Sequence, residues 1–126
     1  MDPISDFLNT LKMASRQGLP TFTFPSSRLI VAIAQALEKK GYVESSKKAK
    51  KGYHLEITLP TEEMGRKVHA VKRISRLSKR IYKKAHEIYP VRNGSGTAVL
   101  STPKGILIDS EARAAKLGGE VLFEIW

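Results

Sequence analysis

Between Arg66 and Lys84 the chain carries nine basic residues in nineteen and no acid: Arg66, Lys67, Lys72, Arg73, Arg76, Lys79, Arg80, Lys83 and Lys84. A merely solvated surface usually mixes its signs. A same-sign run repels itself, and is tolerated where a phosphate backbone neutralises it with release of condensed counterions. Tyr82 stands inside the run and offers a ring on which a base or ribose can stack. A soluble basic strand with a core tyrosine is the competing reading of the same residues.

A second cluster is Ser101-Thr102-Pro103-Lys104-Gly105, between two β-rich runs. Residues 102–105 fit a type I turn, with Pro103 at the second position and Gly105 at the fourth. A hairpin tip explains the cluster by itself. The functional reading adds that two hydroxyls and an ammonium project together, as shape- or sequence-reading of RNA requires. Lys47, Lys48, Lys50 and Lys51 crowd what is expected to be the loop of an N-terminal hairpin, a solvated tip that touches phosphate at most loosely. Asn93-Gly94-Ser95-Gly96 lacks the lysine and the long following helix of a phosphate-cradling loop and is read as a turn.

Catalytic constellations are missing. His54, His69 and His86 stand fifteen and seventeen residues apart, with no helical His/Glu spacing for a metal and no G-x-S-x-G elbow. With no cysteine in the chain, neither a disulfide framework nor a cysteine-bearing zinc site is available. No cofactor, no metal and no enzymatic activity are expected.

These candidates must be positioned by a chain of 126 residues, enough for one unit or two small lobes. Its 41% hydrophobic and 27% charged residues are ordinary for a folded protein. The net charge of +10 is not, and it calls for a polyanionic partner. No apolar run approaches the ~18 residues of a membrane span, and residues 1–3 do not begin a signal peptide, so a cytosolic protein is expected.

Asp2 followed by Pro3 starts a helix, with Ile4, Phe7, Leu8 and Leu11 at helical spacing and an end near Gln17-Gly18. Residues 21–24 alternate as a short strand. Pro25-Ser26-Ser27 caps a second helix carrying Ile30, Ile33, Ala34 and Leu37 and closed by Gly41. Strands are expected at 42–45 and 53–59, the second alternating at Tyr53, Leu55, Ile57 and Leu59. The N-terminal lobe is thus α-β-α-β-β over residues 1–63. Residues 64–126 form the other lobe, with strands near 67–75, 79–83, 97–101, 105–108 and 120–125 and one short helix from Asp109 to Lys116, stopped by Gly118-Gly119. The fold class is α+β, the C-terminal lobe being mostly antiparallel β. Residues 1–63 carry a net charge of +2 and residues 64–126 a net charge of +8, which places the main RNA-binding surface in the second lobe.

Taken in order, five segments resemble the bacterial-type small-subunit ribosomal protein S-eight family. They are Asp2-Pro3-Ile4-Ser5-Asp6, Pro25-Ser26-Ser27-Arg28-Leu29, Arg73-Ile74-Ser75-Arg76 with Arg80-Ile81-Tyr82-Lys83, Ser101-Thr102-Pro103-Lys104-Gly105, and Leu117-Gly118-Gly119-Glu120. The resemblance spans nearly the whole chain. It implies a structural component of the small ribosomal subunit that binds the central domain of small-subunit ribosomal RNA early in assembly, alongside neighbouring ribosomal proteins. Repression of translation through a messenger RNA that mimics the ribosomal site is the alternative it permits. The family's reading tip falls on Ser101, Thr102, Lys104 and Gly105, and its tyrosine and glutamate on Tyr82 and Glu120. A carboxylate in a basic surface makes sense if it accepts hydrogen bonds from exocyclic amino groups. The expected RNA-binding set adds Ser75, Arg76, Arg80 and Lys83, with Lys12, Ser26, Ser27 and Arg28 in the first lobe.

The chain departs from the family at three places. Pro103 replaces a serine and removes one hydroxyl and one N–H from the tip. Leu77-Ser78 stands where Pro-Gly is usual, and Thr10 where arginine is frequent. Neither a membrane nor a small-molecule substrate is an expected partner, since the basic run alternates like strands and lacks the amphipathic basic helix that lipid surfaces favour.

Overall fold

The computed structural model describes residues 2–48, 53–60 and 67–126. It divides into two compact units, Met1–His69 and Ala70–Trp126. The first begins with α1 (Pro3–Gln17). The Asp2 carboxylate accepts a hydrogen bond from the Ile4 amide at 3.1 Å, and proline takes the first helical position, where its missing N–H costs nothing. Ile4, Phe7, Leu8, Leu11 and Ala14 form the buried stripe. Gly18 ends the helix at φ 69, a left-handed conformation that a residue without a Cβ adopts freely.

β1 (Thr21–Pro25) leads to α2 (Arg28–Lys39), whose N-cap Ser27 accepts from the Ile30 amide at 3.2 Å. β2 (Ser45–Lys48) and β3 (His54–Thr58) complete an antiparallel sheet in the order β1-β3-β2. Phe7 sets its ring against Phe24 edge-on, with centroids 5.3 Å apart, and against Phe22 at 6.0 Å. The order is the α-β-α-β-β expected.

One boundary differs. Tyr42 and Val43 are buried but precede β2, so the apolar pair read as a strand is an irregular link plugging the core after α2. Burial without a ladder leaves the same apolar signature in sequence as a short strand. Lys47 and Lys48 consequently lie within β2, opposite Glu56 and Leu55, and not in a hairpin loop. Lys50 and Lys51 lie outside the described residues, as do Arg66 and the segment 61–65 in which the lobe boundary was expected. Residues 67–69 are fastened to α1: the Val68 amide donates to Ser15 Oγ at 3.0 Å and the Arg16 guanidinium to the His69 carbonyl at 3.3 Å.

The second unit is an antiparallel sheet of β4 (Val71–Arg73), β5 (Tyr82–Lys83), β6 (Thr97–Thr102), β7 (Gly105–Ile108) and β8 (Gly119–Ile125). Its order is β4-β8-β6-β7, with β5 also pairing β8. β4 and β5 are much shorter than the strands expected at 67–75 and 79–83. Arg76 and Lys79 exchange backbone hydrogen bonds of 2.9 and 3.1 Å around Leu77-Ser78, and this tight turn takes the chain out of the sheet.

α3 (Asp109–Ala115) opens with the Glu111 carboxylate accepting from the Ile108 amide at 3.2 Å. It stops at Lys116, earlier than the paired glycines. Gly118 and Gly119 have another duty. A Cβ at Gly118 would collide with the Lys83 carbonyl and with Lys84 Cα, and one at Gly119 with the Ser101 carbonyl. The pair lets β8 thread between β5 and β6.

In β8 the register shifts once. Val99 faces Phe123 but Leu100 faces Val121, so Leu122 is an extra residue, a β-bulge. Side chains on directly opposed residues share a sheet face. Ala98 with Glu124 and Leu100 with Val121 therefore lie on one face, whereas Ser101 with Glu120 lies on the other. Without the bulge, residues four apart in a strand would point the same way. On the first of these faces Leu100, Ala98 and Val121 pack with Ile88, Val91 and Ala112 in a buried cluster.

Candidate nucleic-acid interface

Glu120 stands opposite Tyr82 of β5 on one side and Ser101 of β6 on the other, and Ser101 stands opposite Ile106 of β7. The register thus sets a ring, a carboxylate and a hydroxyl in one row on one sheet face, from chain segments up to 38 residues apart in sequence. Tyr82 is 68% exposed. Arg80 Nη1 lies 3.0 Å from Glu120 Oε2, and the carboxylate side chain is the less exposed partner, 15% against 43%. An ion pair this open contributes little to stability, so its effect is chiefly to hold the carboxylate in one orientation.

Beyond Ser101 the chain turns at Pro103-Lys104. Neither has a positive φ, while Gly105 sits at φ 106, which fits the type I turn expected, with glycine in the conformation that a Cβ resists. The Thr102 hydroxyl donates to the Gly105 carbonyl at 2.8 Å and accepts from the Lys104 amide at 3.2 Å. Its proton is committed to the turn, so only a lone pair is left for a ligand. Ser101, in contrast, makes no side-chain hydrogen bond among the described residues. Lys104 and Gly105 are exposed at the tip.

Arg76, Lys79 and Arg80 are exposed on the turn that leaves the sheet after β4. The turn is braced from inside. Ser75 is fully buried, its hydroxyl accepting from the Ile81 amide at 2.9 Å and donating to the Ile81 carbonyl at 3.2 Å. Ser75 was expected on the binding surface, and instead shapes the loop that presents the cations. Lys83, expected beside Tyr82, adjoins it in β5 and pairs with Gly119, which sends its side chain to the opposite sheet face.

The first-unit candidates fall elsewhere. Ser27 spends its hydroxyl capping α2; Ser26 and exposed Arg28 flank it. Lys12 is half-buried on α1, and the Thr10 hydroxyl donates to the Asp6 carbonyl at 2.8 Å. The Arg80–Glu120 pair was not anticipated, since forty residues separate the partners and no local spacing signals them. The alternation of Tyr82 and Lys83 between faces was available from the two-residue period of a strand. Among the described residues no group of three histidine, aspartate or glutamate side chains converges to hold a metal ion.

Residues 2–126 match the family model described as Ribosomal protein S8. The chain belongs to this family. It is similar to the small ribosomal subunit protein uS8 of Dechloromonas aromatica (strain RCB), 42% identical over 123 residues that cover 96% of this chain and 94% of the relative. The uS8 protein of Zymomonas mobilis subsp. mobilis (strain ATCC 31821 / ZM4 / CP4) is 37% identical, with coverages of 99% and 97%. That of Acidovorax sp. (strain JS42) is 41% identical, with coverages of 96% and 94%. The five-segment resemblance therefore extends to the full chain. Ribosomal protein S8 is a structural RNA-binding family and not a family of enzymes, in keeping with a surface built of cations, a ring and hydrogen-bonding groups.

Proposed function

We propose that this chain is a structural component of the small ribosomal subunit that binds the central domain of small-subunit ribosomal RNA and organises its assembly, chiefly through the Ala70–Trp126 unit. The observation that carries this reading is the Tyr82–Glu120–Ser101 row with Arg80 fixing its carboxylate. Exposed Arg76, Lys79, Arg80 and Lys104 neutralise phosphates, supplying affinity with little regard to sequence. Tyr82 stacks on a base or ribose that leaves the helix. Glu120 accepts from an exocyclic amino group, and Ser101 both donates and accepts, which gives the row its discrimination. No helix among the described residues is long and apolar enough to cross a membrane.

Crosslinking the protein to RNA within purified small subunits, followed by sequencing of the attached fragments, tests the assignment. The expected crosslinks join Tyr82 and the 101–105 tip to one helix of the central domain. Crosslinks confined to another domain, or to the first unit alone, would overturn it.

A further inference from the structure

The bulge at Leu122 has a second product on the other face of the sheet. Glu124 projects there, opposite Lys72 of β4, and Lys83 projects from the same face at the other end of that edge. These three, with Tyr89, Arg92 and Trp126, line a cleft of about 310 Å³. Tyr89 is 73% exposed, so its ring is not spent on the core. Arg92 (φ 47, ψ 49) and Asn93 (φ 56, ψ 32) are consecutive left-handed residues with side chains, and Gly94 follows at φ 93. L-residues adopt that conformation at a cost. Here it sets the Arg92 guanidinium 4.1 Å from the centroid of the Trp126 ring. Trp126 is itself fixed by reciprocal backbone bonds with Ala70 of 3.0 and 3.1 Å and by packing on the Val91 cluster.

The cleft therefore shares its residue types with the Tyr82–Glu120 row: an exposed tyrosine, one carboxylate and several cations around them. We infer that this cleft is a second RNA-binding site, taking a single-stranded nucleotide whose base stacks on Tyr89 while Lys72, Lys83 and Arg92 hold its phosphates. Its volume is near the lower end of small-ligand pockets, ~300 to 1,000 Å³. An acidic protein segment would satisfy the cations but leave the exposed Tyr89 ring without a role. With one site on each sheet face, the unit would join two RNA segments.

The inference shares with the proposed function only the premise that the partner is RNA, and its test disables the first row. Trp126 is the one tryptophan of the chain, so its fluorescence reports from this cleft. The full chain carrying Tyr82→Ala and Ser101→Ala is titrated with an RNA adenosine decamer at low salt. Saturable quenching is expected. Tyr89→Ala, at an exposed position, should melt with the unsubstituted chain and raise the dissociation constant about fivefold or more, as loss of one stacked base does. Lys72→Gln and Lys83→Gln should each lower the log–log salt slope by about 0.7. Unchanged fluorescence, or quenching indifferent to Tyr89→Ala, overturns the inference. So does a hexaglutamate peptide that quenches as strongly as the decamer, which would assign the cleft to an acidic protein. The proposed function fails on a separate result: equal binding of a central-domain helix by the unsubstituted chain and by the Tyr82→Ala, Ser101→Ala variant.

Discussion

The two units spend their polar side chains differently. In Met1–His69 the hydroxyls and carboxylates that stand out in sequence close the backbone: Asp2 and Ser27 cap helices, Thr10 bonds to the Asp6 carbonyl and Ser15 receives the Val68 amide. In Ala70–Trp126 Ser75 and Thr102 do the same, but around them Arg76, Lys79, Arg80, Tyr82, Lys83 and Lys104 remain exposed. A polar residue in a motif thus has two possible employers, the chain's own amides and a ligand. Hydrogen-bond accounting separates them. The first unit is a scaffold of capped helices, and the second carries its surplus charge on a sheet edge and its turns.

The largest expected effect tests that division by charge. Arg76→Ala, Lys79→Ala and Arg80→Ala combined should flatten the log–log salt dependence of RNA binding by about 2, hence lower affinity about a hundredfold at 0.1 M salt. The matching triple in the first unit, at exposed Lys39, Lys47 and Lys48, should leave the slope unchanged within error. Equal slopes for the two triples, measured by titration at several salt concentrations, would merge both units into one diffuse electrostatic surface.

A smaller effect contrasts two glycines. Gly18 has open space where a Cβ would go, and its substitution is opposed only by φ 69. Gly119 meets the Ser101 carbonyl. Gly18→Ala should cost about 1 kcal/mol, the ordinary left-handed penalty. Gly119→Ala should cost about 1 to 3 kcal/mol, because a backbone cannot step aside as a side chain can. It should also part the Tyr82–Glu120–Ser101 row, so RNA binding falls with it. Thermal melts beside binding curves decide the comparison. Retained affinity in Gly119→Ala would show that the row tolerates a widened sheet.

Next come two buried or capping serines. Ser75→Ala strands the Ile81 amide and should cost about 1 to 3 kcal/mol. Because no charge changes, RNA affinity should drop while the salt slope stays. Ser27→Ala should cost about 1 kcal/mol through the lost cap, with affinity and slope both untouched. A changed slope in Ser75→Ala would mean that the Arg76–Lys79 turn reorients its cations when unbraced.

Much of this architecture was legible because it is locally encoded. Asp2-Pro3 and the Ile4, Phe7, Leu8, Leu11 spacing announce α1 without reference to anything distant, and the Leu55, Ile57, Leu59 alternation does so for β3. The misplaced strand at Tyr42 shows the limit, since burial there comes from the core and not from a ladder. What the sequence concealed is relational. Whether Lys83 shares a face with Tyr82 follows from strand period alone, but whether Glu124 shares one with Glu120 depends on a bulge that appears only when β6 and β8 pair. Likewise Arg80 meets Glu120, and Arg92 meets Trp126, through pairings of distant segments. The motif Ser101-Thr102 was visible, yet the two hydroxyls looked equivalent.

The smallest expected effect resolves that pair. Ser101 faces Glu120 with its hydroxyl unspent, whereas Thr102 has donated its proton to Gly105 and accepts the Lys104 amide. Ser101→Ala should therefore leave the melting temperature alone and lower affinity for the cognate helix about two- to tenfold, the value of one hydrogen bond of ~0.5 to 1.5 kcal/mol. Thr102→Val should do the reverse in emphasis, costing stability of a similar size as the turn loses two bonds, with affinity falling only as far as Lys104 is displaced. Measured against a scrambled helix of equal length, discrimination should shrink in Ser101→Ala and persist in Thr102→Val. Loss of discrimination in both would mean that the tip is read as a rigid shape and not by its hydroxyls. Pro103→Ser then tells the two apart further, because it restores a hydroxyl and an N–H beside Thr102 while relaxing the turn. A gain in affinity from it would place a vacated contact at the tip, and a loss would show that proline's fixed φ is worth more to binding than the hydroxyl it displaced.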